Sequence, residues 1–203
     1  MANKDLTINP KVEKSALNEF MQFGFRKASV HNIAKNANVT TGALYTRYKN
    51  KDDMFSFLVQ NITSALFGNN TELLSLYEHA MTTKKFEDFN TAIKAERTMH
   101  VDLFFKYHKE CQLLFCKSDG STAGQMLEKV INDKIASTTA FMKFISTKEI
   151  DTDIIELILT QTMNSYRFIF NKNYNKERTI MLLEKTDLFY EPSWKSYFNE
   201  ITN

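Results

Sequence analysis

Apolar residues return at every third or fourth position along most of this chain, the repeat of helices that bury one face. Val12, Ala16, Phe20 and Phe23 form such a stripe on a first helix over 10–23, with Pro10 in its opening turn and Gly24 ending it. Ser29 is placed to cap a second helix, whose Val30, Ile33, Ala34 and Ala37 point inward. Asn38 follows, a residue that tolerates the left-handed conformation of a tight turn. Val39 closes that turn, and Thr40 or Thr41 caps a third helix ending near Tyr48. Asn50 caps a fourth, with Asp53 at its third position and Met54, Phe55, Leu58, Ile62 and Leu66 inward, up to Gly68.

Beyond residue 70 the same periodicity predicts longer helices over 71–83, 86–108, 122–146, 149–172 and 176–190. The run "CQLLFCKS" leads to a break at "SDGSTAG", and "YEPSWKSYF" reads as a short aromatic tail. With only 5 Gly and 2 Pro in 203 residues, punctuation is too sparse for a loop-rich or strand-rich chain. The fold class is therefore all-α. The short helices at the front and the long ones behind predict a three-helix amino-terminal domain, residues 1–52, and a larger helical domain, 53–203.

Charge is uneven. Residues 1–55 carry nine Lys and Arg against five Asp and Glu, a net of +4, whereas the remainder carries 17 against 19. A basic front on a mildly acidic body suits a local polyanionic partner. The opening "MANKDLTINPK" has no apolar core of a leader, and no run approaches the ~18 apolar residues of a membrane helix. A cytoplasmic protein with no membrane partner is the expectation, in which Cys111 and Cys116 are reduced thiols, five residues apart and off one another's helix face.

The stretch "VTTGALYTRYKNKDDMF" carries the chemistry. Two short helices joined by "NANVTT" make a helix-turn-helix, whose second helix reads the DNA major groove. Taking Leu44 as the inward reference, Thr40, Arg47 and Tyr48 fall on the core side, Thr41 is intermediate, and Gly42, Tyr45, Thr46 and Lys49 face away. Gly42 removes a side chain where another backbone must come close. Thr41, Tyr45 and Thr46 offer hydroxyls to phosphates or base edges, and Thr methyls suit the thymine methyl. Amides at the helix starts near Ser29 and Lys51 suit anions, and Lys49 and Lys51 add salt-dependent attraction.

From Val12 to Phe55 the chain resembles the amino-terminal domain of TetR-family transcriptional regulators, in "V..SA..EF...GF" and in "ASVHNIAKNANVTTGALYTRYKNKDDMF". The resemblance implies a double-stranded DNA operator as partner, with Ser29, Thr40, Thr41, Gly42, Tyr45, Thr46, Arg47 and Lys51 where the family contacts DNA, mainly at phosphates. The chain departs from the family at three places. Asn38 replaces a turn glycine, Thr46 a common aromatic and Arg47 a common histidine.

"FFKYHKECQLLFCKSDGSTAGQMLEKVINDKI" and the late Trp194 resemble the carboxy-terminal domain of some family members from low-GC Gram-positive bacteria. That likeness implies a small-molecule effector and a homodimer seam built from the last two long helices. Ile154, Leu157, Ile158, Thr162, Tyr166 and Ile169, then Ile180, Leu183 and Leu188, are the expected seam residues. Seventeen Phe, eight Tyr and nine Met can line an apolar cavity as well as a core. Glu96, His100, Tyr107, His108 and Asn164, polar residues on otherwise apolar helices, are the effector-contact candidates.

Other chemistries find less support. The four histidines lack metal-ligand spacing: His100 and His108 stand eight residues apart with no Cys or Glu completing a set. The pairs Asp52–Asp53 and Asp151/Asp153 could mimic metal-binding carboxylates of an all-α enzyme, but both sit at helix starts, where acidic residues favour the dipole. No nucleophile–base pair or phosphate loop is present, so neither an enzyme nor a cofactor is expected. The remaining alternative is a helical ligand- or partner-binding sensor without specific DNA binding, which the retained basic and hydroxyl face argues against.

Overall fold

The computed structural model describes residues 8–68 and 70–202, and every regular element among them is an α-helix. The opening residues 1–7, on which the expectation about a leader rests, lie outside the described residues. Ten helices follow in order: α1 Ile8–Lys27, α2 Val30–Asn36, α3 Thr41–Tyr45, α4 Lys51–Phe67, α5 Thr71–Thr83, α6 Phe86–Lys106, α7 His108–Cys116, α8 Thr122–Ile145, α9 Thr152–Lys172 and α10 Lys176–Thr202. None is long and apolar enough to cross a membrane. The chain divides by packing into two compact units, one of residues up to Ala65 with Tyr107–Lys129, the other of Leu66–Lys106 with Val130–Asn203.

In the first unit, Val12, Ala16 and Phe20 are fully buried along α1, and Gly24 breaks the helix at φ 72°, ψ 166°. Phe23 departs from its expected place: it is 44% exposed. Phe25, beyond the break, supplies the ring instead, with its centroid 5.4 Å edge-on from that of Phe55, which in turn meets Phe20 at 5.0 Å. Ile33 and Ala34 of α2, Leu44 of α3 and Met54, Phe55, Val59 and Ile62 of α4 complete this core. α7 packs against α1 and buries Cys111, Leu113 and Leu114. Burial pushes the Cys111 thiol up to about 12, assisted by Glu110 and Cys116, so it stays protonated and unreactive.

The second unit has an aromatic centre. Ala80 of α5, Phe86 and Phe89 of α6, Phe141, Met142 and Ile145 of α8, Ile155 of α9, and Phe198 and Ile201 of α10 form one buried cluster. A second stack joins α6 to α9, where the rings of Phe104 and Phe170 lie 4.0 Å apart. α10 runs to Thr202, well past the expected end at 190, and takes in Pro192. Proline costs a helix one bond, but Phe198 and Ile201 beyond it are buried with Trp194 against them, and that burial keeps the tail helical. Four polar links tie α6 to the antiparallel α10: Glu87–Lys195, Lys94–Glu191, Arg97–Asp187 and Asp102–Lys176.

Candidate nucleic-acid interface

The helix-turn-helix is held by short-range chemistry that the sequence foretells. Ser29 Oγ accepts from the Asn32 amide at 3.4 Å, and Thr40 Oγ1 accepts from the Ala43 amide at 3.1 Å, so each short helix begins on its own hydroxyl cap. Asn38 takes the left-handed conformation, φ 58°, that lets α3 turn away from α2. Asn50 Oδ1 accepts from the Asp53 amide at 2.7 Å, and Asp53 returns a bond to the Lys49 amide at 2.9 Å. α3 itself ends at Tyr45, short of the expected Tyr48, because its last turn tightens: the Arg47 amide reaches Leu44 O rather than Ala43 O.

This scaffold decides what α3 shows. Leu44 is fully buried and Tyr48 nearly so; Gly42, Tyr45, Thr46 and Lys49 are exposed, as the helical projection requires. Thr40, projected inward, is exposed because it caps the helix from outside it. Neither the Thr41 hydroxyl nor the Tyr45 phenol has a partner among the described residues, and Lys49 Nζ pairs with no carboxylate there. A Cβ added at Gly42 would meet only Thr40 Oγ1, at an ordinary 3.7 Å, so nothing within the chain requires a glycine at this position.

Four of the expected groups are already engaged. Thr46 Oγ1 donates to Ala43 O at 2.8 Å, leaving its methyl and lone pairs outward. Arg47 Nη1 donates to Ala43 O at 3.0 Å, which keeps its half-buried side chain along α3. Lys51 Nζ donates to Arg26 O at 3.2 Å and Ala28 O at 3.3 Å and lies 4.8 Å from the centre of the Phe25 ring. The Ser29 amide, read as an open anion donor, is bonded to Glu19 Oε1 at 2.9 Å, and the Asn32 amide to the Ser29 cap. Of the amides at the start of α2, those of Ser29 and Asn32 are therefore already engaged.

Several residues that position the head carry no local signature. Buried Glu19 accepts from the Ser29 amide and from Asn32 Nδ2 at 3.3 Å, while buried Ser15 donates to Ile33 O at 2.9 Å; together they lock α2 onto α1. Arg26 forks onto Asp119, and Asp52 accepts from the Thr122 amide at 2.8 Å. Only the tertiary fold joins such distant positions. Burial, then the Glu13 and Asp53 carboxylates, push the Tyr48 phenol up against the pull of Arg47, so it serves as a protonated core ring, edge-on to Phe57.

The effector candidates scatter. Glu96 and His100 stand one turn apart on α6, where Glu96 accepts from Lys134 Nζ at 2.7 Å and Tyr77 Oη at 2.5 Å. Burial alone would raise the Glu96 carboxyl, but the charges of Lys134 and His100 and the bonds from Lys134 and Tyr77 overcome it and bring it below the usual value. Burial, reinforced by Lys134 against Glu96, lowers His100, whose ring sits edge-on to Tyr166 at 5.7 Å. Tyr77 and Lys134 escaped the sequence reading. Tyr107 and His108 belong to the first unit, and Asn164 is exposed on α9.

Among the expected seam residues, Tyr166, Ile169 and Leu183 are buried inside the second unit, and Ile154, Ile158 and Ile180 are half-buried. Thr162 is exposed, as are Leu157 at 56% and Leu188 at 66%, beside Phe168, Met181 and Phe189, which were not anticipated. The carboxylates of Asp52, Asp53 and Asp151 accept from amides at helix starts, the structural reading given to both acidic pairs.

Residues 14–57 match the family model described as bacterial regulatory proteins, tetR family. Among solved structures, the fatty acid degradation regulator FadR from Bacillus halodurans is similar at 16% identity and a TM-score of 0.45, covering 87% of this chain and 94% of that one. NalD from Pseudomonas aeruginosa, the secondary repressor of the MexAB-OprM multidrug efflux pump, is similar at 14% identity and a TM-score of 0.49, covering 90% and 95%. The segment that matches this family model is thus folded as a capped helix-turn-helix whose second helix presents glycine, hydroxyls and lysine outward.

Proposed function

We propose that the protein is a cytoplasmic homodimeric repressor that binds a near-palindromic operator and is released by an apolar or amphipathic small molecule. The observation that carries this reading is the outward face of α3: among the described residues, the Thr41 and Tyr45 hydroxyls and the Lys49 ammonium have no partner and Gly42 is unobstructed. The Ser29, Thr40, Thr46, Arg47 and Lys51 side chains around it are bonded within the head. Ser29, Thr40, Thr46, Arg47 and Lys51 then act from the edges of the interface, with their committed bonds fixing the angle at which they meet phosphates.

A single head of this size reads one half-site, so two copies are needed to read two half-sites about one DNA turn apart. Exposed Leu157 and Phe168 on α9 and Met181 and Leu188 on α10 supply the apolar surface for that pairing. Asn164, three residues past Gln161 and four before Phe168, lies on the exposed side of α9 and joins the seam rather than the effector site. The effector's polar part meets Glu96 and His100, the latter a ring to which no described residue donates or accepts a hydrogen bond. Release requires the effector to bind the DNA-incompetent state more tightly, and operator DNA must weaken effector binding by the same factor.

Selection of random duplexes on the purified protein, followed by salt titration of the winner, tests this. A two-half-site palindrome with a steep salt dependence is the expected product. Weak binding without enrichment would instead favour a helical sensor that no longer uses its head.

A further inference from the structure

The segment between α7 and α8 is stitched to itself and to both ends of the reading head. Internally, Ser118 Oγ donates to Leu114 O, Ser121 Oγ donates to Ser118 O at 2.7 Å, and the Gly124 amide donates to Ser121 Oγ at 3.0 Å. Gly124 has no room for a side chain, since a Cβ there would stand 2.5 Å from the Ser118 carbonyl oxygen. Gly120 adopts φ +84° and lies under Arg26, whose Nε would be 2.9 Å from an added Cβ. The loop therefore holds one shape.

Its outward bonds fall at two places. Where the chain enters the helix-turn-helix, the Phe25 amide donates to Lys117 O at 2.8 Å, and Arg26 donates through Nη2 and pairs through Nε with the two oxygens of Asp119 at 3.1 and 3.0 Å. Where the chain leaves it, the Thr122 amide donates to Asp52 Oδ1 at 2.8 Å. A body fixed at its entry and its exit cannot swing about either one alone.

We propose that this loop is a latch that sets the angle of the reading head and thereby the half-site spacing it accepts, with Arg26, Asp52 and Asp119 as positioning residues that touch no DNA. The inference rests on the operator-binding reading above. It separates two qualities of the head: α3 determines which bases are read, and the latch determines how far apart the two readings fall. The exposed Arg26–Asp119 fork is screened by salt, whereas the Asp52–Thr122 bond, made to a backbone amide, is less so.

The test measures affinity for the selected operator and for copies with one or two base pairs inserted or removed between the half-sites. The wild-type chain discriminates sharply among them. Asp119→Asn with Asp52→Ala lowers that discrimination roughly fivefold, the worth of one exposed fork and one hydrogen bond, with circular dichroism and melting confirming a folded head. If the double variant melts early, Asp119→Asn alone, at an exposed side chain, gives the same reading with a smaller change. Exchanging the partners, Arg26→Asp with Asp119→Arg, restores spacing preference. An unchanged spacing profile in a folded variant, or failure of the exchange to restore it, overturns the latch. A wild-type chain that enriches no operator overturns the functional reading, and this proposal with it.

Discussion

The two units solve the same problem, satisfying polar groups around an apolar core, by opposite means. In the first, most of the bonds run to backbone: Ser29, Thr40 and Asn50 cap helices, Glu19 and Asp52 accept from amides, and Lys51 donates to carbonyls. In the second, α6 and α10 are joined by side chain to side chain, through four ion pairs at the ends of long, partly exposed stems. Backbone-anchored bonds fix an angle, as a surface that presents hydroxyls to a groove requires. Exposed ion pairs are individually worth little and exchange readily; three of the four are of that kind, and Arg97–Asp187 is the more buried. The Tyr77–Glu96–Lys134 group is the exception in the second unit: half-buried like Arg97–Asp187, it joins three mutually bonded side chains.

That exception gives the largest expected effect. Glu96→Ala leaves Lys134 and Tyr77 without their acceptor and lowers stability by about 1–3 kcal/mol, while Lys195→Ala on the exposed seam costs about 0.5 kcal/mol or less. Equal costs in denaturant titrations would erase the distinction between cluster and seam. Acid probes the same place. His100 is lowered, so as pH falls through its ordinary value of 6.5 the unfolded chain takes up a proton that the folded chain refuses, and stability declines. Glu96, also lowered, holds its contribution above its ordinary 4.5 and loses it as pH falls through the folded value. Denaturation midpoints should therefore drop from about pH 6.5 downward, with a second decline below 4.5. His100→Gln should remove the first step alone, and a flat midpoint between pH 7 and 5 would contradict this account.

Smaller effects sharpen the contrast within the head. Lys49→Ala should leave stability within about 0.5 kcal/mol yet flatten the slope of log affinity against log salt by about one unit. Lys51→Ala should lose about 1 kcal/mol of stability as well, because its ammonium holds two carbonyls. An unchanged salt slope for Lys51→Ala would remove it from the phosphate contacts and leave it a purely internal tie. Smallest of all, Gly42→Ala should stabilise the fold by up to about 1 kcal/mol while weakening operator binding. A variant that gains on both counts would show that no backbone approaches α3 there.

What the sequence made legible was chemistry complete within a few residues. The caps at Ser29, Thr40 and Asn50, the left-handed Asn38 and the inward Leu44 each declare themselves through side-chain type and helical angle. Asp53 and Asp151 were legible for the same reason, whereas the bond of Asp52 to the Thr122 amide was not. Positions decided by distant partners were not. Phe23 lost its place to Phe25 across a backbone break, and Lys51 turned to carbonyls more than twenty residues away. α10 outlasted its proline because of rings buried beyond it. In α9 and α10, periodicity found the apolar positions but could not tell those facing the core, Tyr166, Ile169 and Leu183, from those left outside, Leu157 and Leu188.

Regulators are often treated as modular, with a reading head to be cut off and grafted to a new sensor. The first unit here is not contiguous in sequence. A head excised at residue 57, where the family match ends, leaves its α7 packing, the Lys117 carbonyl, the Asp119 carboxylate and the Thr122 amide behind on the discarded piece. Such a fragment exposes the side of α1 that α7 covered, and both fastenings of its helix-turn-helix hang open. A working chimera needs a junction that carries Tyr107–Lys129 along with the head, which makes this chain a donor of two segments rather than one.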